Sequence, residues 1–429
     1  MDRGSDVVIV GAGIVGCATA YFLSRRGVRV VVVERGPVAG EQSRKNWGFV
    51  RQQGRDPAEL PVVMEANRLW RGLERELGAD VEWVQGGNLA LATDEERLAR
   101  FEAWLPVARE FGLDTRLLRA RELQAVIPGL AGTWAGGMHT PGDGHADPEK
   151  ATDALARAAA SHGARLELDC AVQAVTTQAG AVDGVLTERG PIHAPIVVCA
   201  AGAWSSRLAR TLGLVLPQRW VRGTVARTTP APAVTGCAVW GPGVAFRQRR
   251  DGSFTIAAGG ALDHDVTLDS LRQLRFFLPN YWKNRAMFRF HVGRPLLASL
   301  AAALPGSAAR RQPLVWDRGV EPRPNPAKLR KSLAELRRVL PSLPPLGIAR
   351  SWAGYIDAVP DLVPVLGEAP APRGFLLATG FSGHGFAMGP IAGRLLSELI
   401  VDGKPSLDLA AFRYSRFAEG AIGKPRNVL

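Results

Sequence analysis

Gly11, Gly13, Gly16 and Glu34 are the residues of this sequence whose types and spacing most directly imply chemistry. The glycines fit G-x-G-x-x-G inside DVVIVGAGIVGCATAYFLSRRGVRVVVVE, residues 6–34. In that pattern the first glycine makes a tight turn, the second lets backbone approach a pyrophosphate, and the third brings a helix close to its strand. The N-terminus of the helix then faces the phosphates. Glu34 is placed to hold the ribose hydroxyls of an adenosine and disfavours a 2′-phosphate, which points to FAD or NAD rather than NADP. An ordinary βαβ unit with a Gly-rich turn and a surface Glu would share these residue types. The complete order of strand, turn, helix, strand and acid argues against it.

A second group of donors follows in RGPVAGEQSRKNWGFVRQQGRDPAEL, residues 35–60, which is too polar for core and too long for a simple connection. Long structured loops are usually functional. Coming directly after a dinucleotide unit, this one can pass the far end of an extended cofactor and supply Ser43, Arg44, Lys45, Asn46 and Arg51, although a solvated basic loop would read the same. Arg35, next to Glu34, and Val172 are counted with the cofactor contacts. Gly202 ends the buried run PIVVCAAGAW, where backbone has to approach the cofactor. A second strand, glycine loop and helix N-terminus comes late in the chain, with Gly380, Gly383, Gly385 and Phe386 in GFSGHGF and Pro390 expected in the first helical turn. His139 and His145 flank a turn, but no third ligand has helpful spacing, so no metal is expected.

The elements that must position these residues can be read from periodicity. A helix is expected from about residue 14 to 26, with Gly27 ending it and 28–33 as the next buried strand. Another runs 61–77 to Gly78, and Thr93 with Glu96 reads as a capping box for a helix to about 111. Asp147-Pro148 opens a helix, 165–177 and 181–188 read as a small meander, and 239–247 with 253–258 read as a hairpin around Arg250-Asp251-Gly252. The result is an α/β fold (α+β overall): a Rossmann-like dinucleotide domain, discontinuous over 1–55, 140–215 and 346–429, and an antiparallel-sheet substrate domain over 56–139 and 216–345.

At 429 residues the chain is long enough for two connected domains, and its 46% hydrophobic and 22% charged residues are ordinary for a globular enzyme. The formal charge of +13 is spread along the chain without a basic tail or recognition motif, which excludes nucleic acid as an expected partner and favours small anions or an acidic partner. The cysteines at 17, 170, 199 and 237 have no C-x-x-C spacing, and MDRGSD leads into the first strand without an apolar leader. A reducing cytoplasm is the expected compartment. No run is apolar over a membrane-spanning length.

GAGIVG with Glu34, SRKNWGFVR, PGDGHADP, VVCAAGAW, WAGYIDAVPDLVPVLG and ATGFSGHGF together resemble the D-amino-acid oxidase-like family of FAD oxidoreductases, especially its sarcosine oxidase, glycine oxidase and amino-acid dehydrogenase branch. The resemblance runs from residue 6 to about 417 and is loose over 268–318. It implies FAD, a bipartite fold, and oxidation of a C–N bond in an amine or amino acid to an imine by hydride transfer to flavin N5. Arg51 matches an arginine that grips the substrate carboxylate in such proteins. Lys45 falls where relatives often have His, and Gly354 falls near a flavin-linking Cys, which implies noncovalent FAD.

Tyr355 stands near a substrate arginine of glycine oxidase-like relatives. A second carboxylate-binding Lys is replaced by Ala387, and FTIAAGG lacks the Lys that activates oxygen. His384 lies in a loop that faces the flavin, to tune it or to bond backbone. Trp240, Phe246 and Arg247 come from the hairpin expected to wall the pocket, with Arg222 as a further cation, although strand aromatics are often plain core. The expected substrate is a small carboxylate-bearing amine. An electron-accepting partner or partner subunit fits the missing lysine, and a 2-hydroxy-acid oxidoreductase or a flavin-carrying subunit are the alternatives.

Overall fold

Val7–Val10, Val30–Val33, Ile196–Cys199 and Phe375–Thr379 are short runs of apolar or small side chains, the composition of strands covered on both faces. A computed structural model, which describes residues 4–259, 262–284, 288–307 and 321–426, places them side by side and parallel. Gly260 at the end of FTIAAGG, and residues 308–318 of the loosely resembling stretch, lie outside the described residues. The six-stranded sheet runs Val365–Glu368, Phe375–Thr379, Ile196–Cys199, Val7–Val10, Val30–Val33, Arg165–Glu167, and only Val365–Glu368 is antiparallel to its neighbour. Arg165–Glu167, expected in the meander, instead extends this sheet. The meander proper is Val172–Gln178, Ala181–Thr187 and Gly190–His193.

The helix Ile14–Ser24 is buried almost throughout and packs between Pro148–Ser161 and Gly385–Asp402. Gly393 permits that approach, since a Cβ there would lie 2.5 Å from the Ala18 carbonyl carbon. The last helix begins at Gly385 rather than at Pro390, which sits inside it. Its opening turn is fixed by tertiary contacts: Trp70 Nε1 donates to the Ala387 carbonyl at 2.8 Å, and Gly389 lies against Ile14.

The second layer is a ten-stranded, mostly antiparallel sheet. Ile348–Ala358, which the sequence groups with the dinucleotide unit, pairs along its length with Arg219–Thr228 in this sheet. The stretch 239–247 divides into two strands, Ala238–Trp240 and Val244–Gln248, turning at Gly241–Gly243. Val244, Phe246, Phe254 and Ile256 cover one face against Leu336, Val339 and Leu340 from the end of helix Pro326–Val339. The helix after residue 93 is capped by Asp94, whose carboxylate accepts from Arg97 N at 2.8 Å, while Thr93 Oγ1 donates to Asp94. No helix among the described residues is long and apolar enough to cross a membrane.

Candidate active site

One cavity of about 440 Å³ runs from the carboxyl ends of the parallel strands to the inner face of the large sheet. At its first end Gly11, with φ +111°, turns so that its N–H donates to the Val33 carbonyl at 2.9 Å. A Cβ on Gly16 would lie 1.9 Å from the Gly11 carbonyl oxygen, which explains the third glycine by packing alone. Gly13 borders the cavity, and a Cβ there would come within 3.0 Å of Ser43 Oγ, the acceptor for Ile14 N at 2.8 Å. The first turn of the helix carries no acidic residue and Gly13 provides no side-chain cap, so its positive end is open to an anion.

Glu34 also borders the cavity and has a role that its spacing did not reveal. Its carboxylate accepts from Ala12 N at 2.8 Å and Gly36 N at 2.9 Å, pinning the glycine turn. Burial raises its pKa against those two donors. Arg35 pairs with Glu41 at 3.0 Å and lies 3.9 Å from the Trp204 ring centroid. Asn46 shapes the loop, donating to the Ser43 carbonyl and accepting from Gly48 N, both at 2.8 Å. Lys45 is held by Glu41 at 3.0 Å and Glu321 at 3.2 Å, and a Cβ on Gly354 would lie 2.8 Å from its own Cβ.

A buried hydrogen-bond net ties the cavity walls together. Gln42 Oε1 accepts from Ala203 N at 2.7 Å, and its Nε2 donates to Asp357 Oδ1 at 3.0 Å. Asp357 Oδ2 accepts from Gly380 N at 2.9 Å, while Gln218 Nε2 donates to the Gly202 carbonyl at 3.0 Å and Thr379 Oγ1 at 3.1 Å.

At the other end stand Arg51, Arg55 and His384. Arg51 is 6% exposed and Arg55 3% exposed, yet both border the cavity. The Arg51 Nη1 donates to the Gln53 carbonyl, and its guanidinium lies 5.6 Å from the Trp240 ring centroid. The Arg55 Nε donates to the Arg51 carbonyl at 3.3 Å, and its Nη1 is enclosed with no hydrogen-bond partner among the described residues. Burial, and for Arg51 also the charge of Arg55, pulls both guanidiniums below their ordinary range. Asp143 is committed elsewhere, accepting from Gln52 N at 2.8 Å and Gln53 N at 3.2 Å, and burial pushes its carboxyl up to about 6. His384 Nδ1 is 3.0 Å from Glu59 Oε1. Burial and the neighbouring Arg55 push its imidazole down to about 4. Trp47, Trp240 and Tyr355 supply aromatic wall, with the two tryptophan rings 4.7 Å apart.

Val172, Gly202, Gly383, Gly385 and Phe386 line the same cavity, but several expected members do not. Arg44, on the short helix Gln42–Lys45 that packs against Pro148–Ser161, is not part of the lining. Arg222 is on the wrong side of its strand: Arg219, Val221, Gly223 and Val225 face the cavity, so alternation sends Arg222 to Asp265 at 3.1 Å. Phe246 faces the helix-covered core. Arg247 backs the site, its Nε donating to the Trp47 carbonyl at 2.7 Å. Gly380 sits behind the lining, where a Cβ would lie 2.6 Å from Val359. Arg55, Glu59, Gln42 and Asp357 were not singled out from sequence. Arg51, Arg55 and Glu59, spaced by four, were the available signal. Among the described residues no three His, Cys, Asp or Glu side chains are grouped to hold a metal.

A family model described as DAO, FAD dependent oxidoreductase, matches residues 6–399. The chain belongs to this family. Among DAO relatives it is 28% identical to glycine oxidase of Geobacillus kaustophilus over 99% of this chain and 100% of that protein. It is 26% identical to mitochondrial sarcosine dehydrogenase of Mus musculus over 96% of this chain, but spans only 41% of that protein's length. The L-amino acid deaminase from Proteus myxofaciens, solved with anthranilate, superimposes with a TM-score of 0.90 at 28% identity, covering 97% of this chain and 94% of that one. The family's cofactor is FAD. The open glycine turn, the helix end free of acidic side chains and the glycine-lined second loop are a cradle that fits it.

Proposed function

We propose that the protein is an FAD-dependent dehydrogenase or oxidase of a carboxylate-bearing amine, converting the C–N bond of an amino acid or N-substituted amino acid (sarcosine-, opine- or D-amino-acid-like) to an imine. The observation that carries this reading is the pair of buried guanidiniums, Arg51 and Arg55, in the wall of the cavity that starts at the Gly11–Gly13 turn. Desolvated cations favour an anionic ligand, and a planar fork suits a carboxylate. Trp47, Trp240 and Tyr355 give the remainder of the substrate an apolar, water-excluding surround. The relatives support this choice: two are named for sarcosine and glycine, and the Proteus deaminase was solved with an aromatic carboxylate.

FAD, when bound, would supply the two-electron acceptor for a hydride leaving the carbon that bears the amine. The chain's own residues bind and orient: the Gly11–Gly13 turn and the helix N-terminus hold the pyrophosphate, Glu34 the ribose, and Arg51 with Arg55 the carboxylate. Lys45 against Gly354 leaves no thiol for a flavin link, and FAD is held noncovalently. On this reading 1–55, 140–215 and 346–429 form the FAD-binding part, with Ile348–Ala358 lent to the sheet of the substrate part, 56–139 and 216–345. The cytoplasm is the compartment we assign, on the four buried, unpaired cysteines. On the dehydrogenase reading an acceptor protein or partner subunit would take the electrons onward.

The test is anaerobic bleaching of the flavin by a panel of primary and N-alkyl amino acids of both hands, each paired with the amine that lacks the carboxylate. Reduction by the amines and not the acids would overturn the assignment.

A further inference from the structure

Glu59 is the acidic neighbour of His384. It is 1% exposed, stands just before the helix Leu60–Leu77, and places Oε1 3.0 Å from His384 Nδ1. Burial works to raise its carboxyl, but the His384 ring and the charges of Arg55 and Arg51 outweigh it and hold the group below its ordinary value. Glu59 is therefore an ionised acceptor, and the proton of a neutral imidazole next to it belongs on Nδ1. Nε2 then carries the lone pair. Nε2 has no hydrogen-bond partner among the described residues and is not among the enclosed polar atoms, and the ring borders the cavity beside Arg51 and Arg55.

We propose that Glu59 and His384 form a proton-accepting dyad: Glu59 is a positioning residue that fixes the Nδ1–H tautomer, and His384 Nε2 accepts a proton from the substrate ammonium. The proposal rests on the substrate reading above. An ammonium has no lone pair to assist departure of a hydride from its carbon, so the neutral amine must form first. In the step an N–H bond of the ammonium breaks, its electron pair stays on nitrogen, and the proton bonds to Nε2. The positive charge passes to an imidazolium lying against the Glu59 carboxylate, and no electron changes hands.

The charged groups acting on His384 are Arg55, Arg51 and Glu59. In the free protein burial and the two guanidiniums disfavour imidazolium. A bound carboxylate neutralises those guanidiniums and leaves Glu59 as the unopposed neighbour, so the substrate's own acid group switches the base on. The same site therefore favours the zwitterion over an amine without a carboxylate for a reason beyond anchoring.

The experiment uses the holoprotein with ¹⁵N-labelled histidine, wild type and Glu59→Gln, with His384→Gln to assign the resonance. Wild type should show His384 protonated at Nδ1 and bare at Nε2, and a gain of the imidazolium signal when benzoate, a carboxylate without an amine, is added near pH 6. In Glu59→Gln the amide donates to Nδ1 and moves the proton to Nε2. Flavin reduction by a carboxylate-bearing amine should then slow by about 10²–10⁴-fold, with its pH limb shifted to higher pH, while flavin content stays as in wild type. An Nε2–H tautomer in wild type, or reduction by Glu59→Gln at the wild-type rate and pH limb, would overturn the dyad. The tautomer is read without substrate, so it decides the dyad even if no carboxylate-bearing amine reduces the wild-type flavin, a result that would defeat only the substrate reading.

Discussion

Replacing Arg51 by Ala removes one of the two buried guanidiniums, Arg51 and Arg55, that stand together in the cavity wall. Losing one partner of a buried, hydrogen-bonded charge pair costs about 2–5 kcal/mol, which corresponds to roughly 30-fold to several-thousand-fold weaker binding at 1.4 kcal/mol per decade. Arg55 places its guanidinium in the same wall and keeps an unsatisfied Nη1, so it retains part of the contact and the single loss belongs at the lower end of that range. Arg51→Lys restores the charge without the planar fork and should recover only part. Arg55→Ala should resemble Arg51→Ala, and the double variant should lose more than the sum of the single losses if each cation partly covers for the other on one carboxylate.

The assay is the dependence of flavin reduction rate on substrate concentration, for the acid and for the matching amine. Flavin content is recorded for each variant, because Arg51 also donates to the Gln53 carbonyl. Equal losses for acid and amine would refute the reasoning. Arg51 would then support the fold, and Arg219, which also borders the cavity, would become the next cation to test.

Gly13→Val should yield mostly apoprotein, since its side chain meets Ser43 Oγ at the helix entrance; full flavin content in the purified variant would show that the pyrophosphate does not sit there. Acid or heat denaturation should release free FAD from the wild type, and flavin that stays with the precipitated chain would mean a covalent link. Reduced enzyme should reoxidise more slowly with oxygen than with a dye or quinone, because the strand Phe254–Ala258 carries no lysine and Lys45 is tied to Glu41 and Glu321; stopped-flow traces showing the reverse order would make it an oxidase. Burial, with Arg247 beside it, pushes His145 down to about 3 from 6.5, so the unfolded chain binds a proton that the folded chain refuses as pH falls below 6.5. Stability should therefore drop toward pH 3, and His145→Gln should show a smaller difference in Tm between pH 7.5 and pH 5 than the wild type does.

The dinucleotide half of the cavity was legible because its determinants are contiguous: Gly11, Gly13, Gly16 and Glu34 lie in one βαβ unit whose local geometry settles where each points. The substrate half was less legible because it depends on which face of a strand a residue occupies. Moving one position along a strand reverses the side, and that is the whole difference between Arg222, turned to Asp265, and the cavity-facing Val221 and Gly223. Phe246 and Arg247 come from a stretch, 239–247, that itself splits in two at Gly241–Gly243, a turn hidden inside an apolar run. Trp240, on the far side of that turn, does reach the cavity. Arg55 and Glu59 were passed over because their importance arises from burial beside His384, 325 residues away in sequence from Glu59. Ile348–Ala358 was grouped with the wrong layer because it leads directly into the last Rossmann strands, and only its long-range pairing with Arg219–Thr228 reveals its sheet.

The Gln42–Asp357–Gln218 net bears on the order of events during biosynthesis. The glycine turn at residues 11–16 emerges from the ribosome long before Asp357, on which Gln42 finds its acceptor and which in turn fixes Gly380, while Gln218 joins Gly202 to Thr379. The helix Ile14–Ser24 likewise rests on Gly385–Asp402. A nascent chain therefore carries its most recognisable nucleotide signature long before it has anything to close around a nucleotide. Flavin capture therefore waits until Gly385–Asp402 is free to fold back, and a chain on a ribosome stalled before Thr379 should retain no flavin once free FAD is washed away.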